Sequence, residues 1–232
     1  VLFFTLAPVV DSAIGVLRGH GLPTLQLDGL WPGITDNPWA SLLMYLVVFD
    51  LLNYGFHRAQ HHFDWWWQLH SLHHAQRQMT VWSDNRNHLL DDLLHDLFLA
   101  VAALAIGVPP GQFVVIVAIT QLSESFQHAN VHIWFGSLGE RLWVSPRFHR
   151  LHHSVGLGHE TVPPGPNGKK AVRGGHNFGV LLPWWDMLFG TADFSLRFDP
   201  TGVRNQVEQG VDYGSGFWSQ QWRGLQRLWS PP

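Results

Sequence analysis

Histidine recurs in this chain in a pattern that only helices can turn into a site. His57-Arg-Ala-Gln-His61-His62 is followed by His70-Ser-Leu-His73-His74, and the arrangement repeats as His128-Ala-Asn-Val-His132 and His149-Arg-Leu-His152-His153. Each set is an HxxxH step followed by HxxHH, and spacings of three or four residues put imidazoles on one helical face. The chain therefore presents two similar groups of five. One histidine at a helix end is ordinarily a satisfied surface or core residue, but ten in one repeated pattern are not. Imidazole suits zinc, copper, iron and nickel, and a closed zinc site needs only four ligands, so ten imply two metals with about five nitrogens each. In the first set the i,i+4 relation to His57 favours His61 over its neighbour His62.

The rest of the composition narrows the chemistry. The 232 residues contain no cysteine, which removes thiolate-ligated zinc, iron–sulfur clusters and disulfides and leaves nitrogen and oxygen ligands. A net charge of -3 gives no basic surplus for nucleic acid. Two open metal ions without a strong carboxylate base in the motifs favour redox work, and iron activates dioxygen where zinc has no redox chemistry.

Only 13% of residues are charged, where soluble domains average about 25%. No Asp, Glu, Lys or Arg occurs from Leu97 to Ser123, and Gly107, Pro109, Pro110 and Gly111 break that run into a hairpin. Its legs, Leu89 to Val108 and Gly111 to His128, approach the ~30 Å of a hydrocarbon core. A further span is expected from Trp39 to His57, with Asn37 as cap and Pro38 in the first turn. The run Val1 to Leu17 is a fourth candidate, and it lacks the basic start of a signal peptide. The expected fold is all-α: an integral membrane helical bundle of three to four membrane helices with a cytosolic helical cap holding a histidine-rich dimetal site. If the helix ending at His57 enters the cytosol, all Lys and Arg except Arg18 fall on that side, together with the histidine clusters.

The motifs HRxxHH (His57 to His62), WWWQLHSLHH (Trp65 to His74), FQHANVH (Phe126 to His132), SPRFHRLHHS (Ser145 to Ser154) and HNFGVLLPWWDMLFGT (His176 to Thr191) resemble the fatty acid hydroxylase/sterol desaturase superfamily. The resemblance covers roughly residues 39 to 194 of a single domain, with 195 to 232 as a C-terminal tail. It implies a membrane non-haem di-iron oxygenase that hydroxylates or desaturates a lipid C–H position. Two iron ions are its cofactors, dioxygen is the co-substrate, and electrons come from a cytochrome- or ferredoxin-type donor in trans. The ligand motifs fall on His57, His61, His70, His73, His74, His128, His132, His149, His152 and His153, and His176 occupies the place of a further histidine that some members use. A fatty acyl substrate is preferred to a sterol, and the membrane is a bacterial inner membrane or the endoplasmic reticulum. The rival readings are a histidine-rich membrane metal-binding or transport protein and a di-zinc hydrolase.

Imidazoles bound to metal need partners for their other nitrogen, and Asp50, Asp91, Asp92, Glu124 and Asp186 are the candidates. The Gly156 to Gly175 stretch reads as a surface loop, either linker, lid or docking surface for the electron donor. Trp65 to Trp67 suit an interfacial belt. His88 is expected to be structural, and His159 carries no assigned role.

Overall fold

A computed structural model describes residues 2–21, 23, 25–33, 35–162 and 172–230. Its elements are helical apart from one two-residue hairpin, Thr161–Val162 (β1) paired with Val172–Arg173 (β2). The chain divides into two compact units, residues 1–49 with 89–119, and residues 50–88 with 120–232.

The first unit holds α1 (Leu2–Gly19), the first half of α2 (Pro38–His62), α4 (Leu89–Ile106) and most of α5 (Pro110–Gln127). Asn37 caps α2 as expected: its Oδ1 accepts the backbone N–H of Trp39 at 2.9 Å, and Pro38 takes the first position, where no N–H is needed. The α4–α5 turn falls at Gly107, whose φ of 73° suits a residue without Cβ, followed by Pro109 and Pro110. Tyr45 of α2 is fully buried and its hydroxyl donates to the Gly107 carbonyl, while Phe49 meets Phe113 edge to face at 5.3 Å. Ile14 of α1 packs on Ala100 and Leu104 of α4, and Arg18 donates to the Leu104 carbonyl.

The second unit holds the rest of α2 and α5 with α3 (Asp64–His74), α6 (Gly136–Gly139), α7 (Pro146–His152), α8 (Trp184–Phe189), α9 (Arg204–Glu208) and α10 (Phe217–Trp229). One residue, Phe63, separates α2 from α3 in an extended conformation, and its carbonyl restarts the helix by accepting from Trp66 and Trp67. Ser145 caps α7 by accepting from the Phe148 N–H, with Pro146 at the first position. Trp67, Leu72, Ala75, Val203 and Tyr213 form a core beneath α3.

The expectation of three to four membrane helices is overturned. Among the described residues, one helix, α2 (Pro38–His62), is long and apolar enough to cross a membrane. Asp91, Asp92 and Asp96 bring three carboxylates into the 18 residues of α4, and Gln112, Gln121, Glu124 and Gln127 dilute the apolar stretch of α5. Such groups are costly at membrane depth. An absence of charge from Leu97 to Ser123 thus spans the hairpin turn and is not a property of either helix taken whole. Orientation counted through three crossings falls with it. The N-terminal candidate forms α1, and the side chains of residues 1–7 lie outside the described residues.

Candidate metal centre

Three helices and one helix end deliver the imidazoles. The last turns of α2 carry His57 and His61, α3 carries His70, His73 and His74, His128 directly follows α5, and α7 with its C-cap carries His149, His152 and His153. Ring nitrogens of His57, His61, His70 and His74 lie within 4.8 Å of one another, as do those of His73, His128, His149 and His153. A third grouping, His74, His152 and His153, joins the two, and the rings of His74 and His153 stack at 4.2 Å. Both main groups consist of histidine alone.

The two sequence sets are not the two spatial groups. Residues i and i+4 of a helix differ by about 40° in direction, whereas i+3 is turned about 60° the other way. His70 and His74 therefore share one group and His73 points into the other; His149 and His153 share the second, and the His152 ring lies 4.5 Å from His57 and 4.6 Å from His61. Each HxxHH motif feeds both groups.

His132 and His176 are not brought into either group. Helix α5 ends at Gln127, so the four-residue step from His128 no longer keeps one face, and exposed His132 stacks on Phe198 at 3.4 Å. His176 is buried with Nε2 3.5 Å from Asp193 Oδ2. His62 is exposed beside Phe63.

The outer nitrogens of four rings are held by backbone carbonyls, not by the carboxylates expected from the sequence. Nδ1–H of His57 donates to the Phe178 carbonyl at 3.0 Å, that of His152 to the His176 carbonyl at 2.8 Å, that of His128 to the Glu124 carbonyl at 2.7 Å, and that of His61 to the Gly158 carbonyl. A carbonyl only accepts, so these rings carry their proton on Nδ1 and leave Nε2 unprotonated. Nε2 of His61, His74 and His152 is buried with no hydrogen-bond partner.

The carboxylates work one layer further out. Asp186 accepts from the Phe178 N–H at 2.9 Å, the Gly179 N–H at 2.7 Å and the Thr191 hydroxyl, and Asp50 accepts from the N–H groups of Leu181 and Leu182 and from the Trp185 indole. Burial pushes the Asp186 carboxyl up to about 6 against these hydrogen bonds. Asn177, in the left-handed region at φ 62°, donates to the Phe148 and Asp193 carbonyls and accepts from the Asp193 N–H. Asn tolerates that conformation. The HNF segment is thereby clamped so that its carbonyls 176 and 178 meet His152 and His57.

Two contributors had little signal in the sequence. Asp84 lies 3.7 Å from His128 Nδ1 and accepts a hydrogen bond from Gln121. His159 stacks on Trp67 and donates from Nδ1 to the His61 carbonyl at 2.6 Å, with Nε2 2.7 Å from Asp64 Oδ1. The start of the Gly156–Gly175 stretch thus packs on the site. Gly174, at φ 86°, presses on His61, where a Cβ would come within 2.9 Å of the His61 Cβ. Residues 163–171, the middle of the Gly156–Gly175 stretch read as linker, lid or docking surface, lie outside the described residues. Trp67 is buried against His61 and His74, while Trp65 is half exposed, so the tryptophan run divides between core and surface.

The donor set fits a pair of metal ions. Nε2 of His128 lies 3.0 Å from His73 Nε2 and 3.1 Å from His149 Nε2, which is 3.1 Å from His153 Nε2. For an ion bound at the ~2.1 Å usual for imidazole nitrogen, ligands at right angles lie about 3 Å apart. Burial, reinforced by neighbouring imidazoles, holds His73, His74, His149, His152 and His153 well below the usual histidine range, so they are neutral donors.

A family model described as fatty acid hydroxylase matches residues 42–191. The chain is 29% identical over 210 residues to ornithine lipid hydroxylase OlsE of Rhizobium tropici, covering 87% of this chain and 58% of that protein. It is 25% identical over 165 residues to an alkylglycerol monooxygenase of Caenorhabditis elegans, covering 71% of this chain and 29% of that protein. It is 27% identical over 170 residues to Delta(7)-sterol 5(6)-desaturase ERG3B of Gibberella zeae, covering 65% of this chain and 47% of that protein. The chain thus spans between 29% and 58% of the length of these relatives. No solved structure matches it.

Proposed function

Because the chain belongs to the fatty acid hydroxylase family, we propose that it is a metal-dependent oxidoreductase acting on a lipid, and specifically a di-iron hydroxylase of a lipid C–H bond. The observation that carries this reading is the set of nine imidazoles in two adjoining buried groups, several with a bare, unpartnered nitrogen turned inward. Hydroxylation is preferred to desaturation because OlsE and the alkylglycerol monooxygenase, two of the three relatives named above, are by name a hydroxylase and a monooxygenase of lipids.

His57, His61, His70 and His74 with His152 would hold one iron, and His73, His128, His149 and His153 the other. Two irons supply, when bound, the electron transfers that activate dioxygen toward an unactivated C–H bond. The protein's own part is preorganisation. Carbonyls 158, 176, 178 and 124 fix ring orientation and tautomer before any ion arrives. Phe178 and Trp67, packed on His61, give the site apolar walls that keep water out. Electrons come from a separate donor, and α2 supplies a bilayer attachment through which a lipid substrate is reached.

The test is metal content and Mössbauer spectra of protein from iron-supplemented cells, followed by dioxygen consumption with a reductant and a panel of lipids. Two coupled irons and lipid-dependent oxygen uptake are expected. Zinc that persists after anaerobic iron reconstitution would overturn the oxygenase reading in favour of hydrolysis.

A further inference from the structure

Helix α10 is packed the wrong way round for a helix on a water-exposed surface. Its inward face is Gln221, Gly224 and Arg227. His88 Nε2–H donates to the Gln221 carbonyl at 2.9 Å, and Gly224 makes room for that ring, since a Cβ there would lie 2.3 Å from His88 Cδ2. Arg227 donates to the Gln68 carbonyl at 3.2 Å and covers the Tyr213 ring at 4.2 Å. The outward stripe at steps of four, three and four is Trp218, Trp222, Leu225 and Trp229, with the three indoles 76%, 61% and 79% exposed. Trp222, Leu225 and Trp229 also line a groove with Val211. Isolated exposed apolar residues are ordinary, but three indoles on one stripe of a helix held by its polar side are not.

We propose that the Trp218–Trp229 face of α10 lies in the headgroup interface of a lipid bilayer. Three observations select that occupant. The exposed residues are tryptophans, whose ring and N–H suit the headgroup boundary. α10 carries no acidic residue that would repel headgroup phosphates, while its arginines are engaged within the protein, Arg227 buried on the inward face and Arg223 paired with Asp212 at 3.1 Å. α10 packs on α3, gripping Gln68 through Arg227, and α3 begins two residues after His62, the end of α2, which is long and apolar enough to cross a membrane. At ~1.5 Å per helical residue, Gln68 is roughly 10 Å along the chain from that end. An amphipathic helix with an aromatic outer face suits the plane of a bilayer surface. The inference is independent of the chemistry at the metal centre.

The absence of cysteine allows single spin labels in the full chain. Labels at Trp218→Cys, Trp222→Cys and Trp229→Cys, with Glu208→Cys on α9 as the water-facing reference, would be read in nanodiscs of phosphatidylcholine and phosphatidylglycerol. The expected result is an oxygen-to-nickel-chelate accessibility ratio severalfold higher at each α10 position than at the reference. Full chelate access on α10 would overturn the proposal in favour of a water-exposed face. Shielding from both reagents would overturn it in favour of a second protein surface. As a check on the unlabelled protein, brominated lipid should quench less tryptophan fluorescence in the triple variant Trp218→Gln, Trp222→Gln, Trp229→Gln than in the parent; equal quenching per remaining tryptophan contradicts the proposal.

Discussion

His73 and His152 hold equivalent places in the two HxxHH motifs, and each sits with the histidines of the other motif. The His73 ring lies 4.8 Å from that of His153, and the His152 ring lies 4.7 Å from that of His74. The exchange ties α3 to α7 through two reciprocal contacts. Neither metal group is complete without both helices.

This exchange predicts separable metal defects. Replacing His73 by Ala should empty the group with His128, His149 and His153 while the other retains metal, and His152→Ala should do the reverse. Loss of an outer partner costs 10–100-fold in affinity, so loss of a direct donor should cost more than about 100-fold. Anomalous diffraction or metal analysis of each variant decides it, and both variants losing the same ion would contradict the assignment.

His132→Ala should leave metal content unchanged, because the exposed ring stacks on Phe198 away from both groups. A drop to half the parental metal in that variant would show that His132 is a ligand.

Asp186→Ala should destabilise the fold by about 2–4 kcal/mol, since the buried N–H groups of Phe178 and Gly179 lose their acceptor. The same change loosens the Phe178 carbonyl that orients His57, so metal affinity should fall within the 10–100-fold range of outer-partner losses. Thermal unfolding of the metal-free protein and metal titration read the two effects apart.

Stability of the metal-free protein should fall with acid. His73, His74, His149, His152 and His153 are held well below the ordinary value of 6.5 by burial, so unfolded chains take up protons that the folded site refuses. The unfolded state binds more protons below about pH 6.5, so stability is full above that value and is lost as pH falls toward the lowered folded values. A melting temperature that is flat from pH 7.5 to 5.5 would contradict neutral buried imidazoles.

Helical spacing in the sequence picked out pairs of histidines that the structure brings together. His57 and His61, His70 and His74, and His149 and His153 are i,i+4 pairs, and local geometry alone keeps such pairs together whatever the rest of the chain does. The Asn37 cap and the Gly107–Pro110 turn were legible for the same reason, being set by backbone chemistry within a few residues. Membrane span count was not legible, because an uncharged run can cross a turn while each helix keeps its charged residues toward its outer end.

Residues far apart in the chain meet only through tertiary packing, and no local rule reaches them. The carbonyls of Gly158, His176 and Phe178 bear no side-chain identity that a sequence could display, yet they orient His61, His152 and His57. His159 reaches His61 across 98 residues of sequence, and Asp50 reaches Leu181 across 131. The sequence by itself determined which histidines share a helix face, because helix geometry is local. Only the tertiary structure decided which imidazoles share an ion pocket and which atoms hold them, because that depends on how α2, α3 and α7 and the HNF segment pack together.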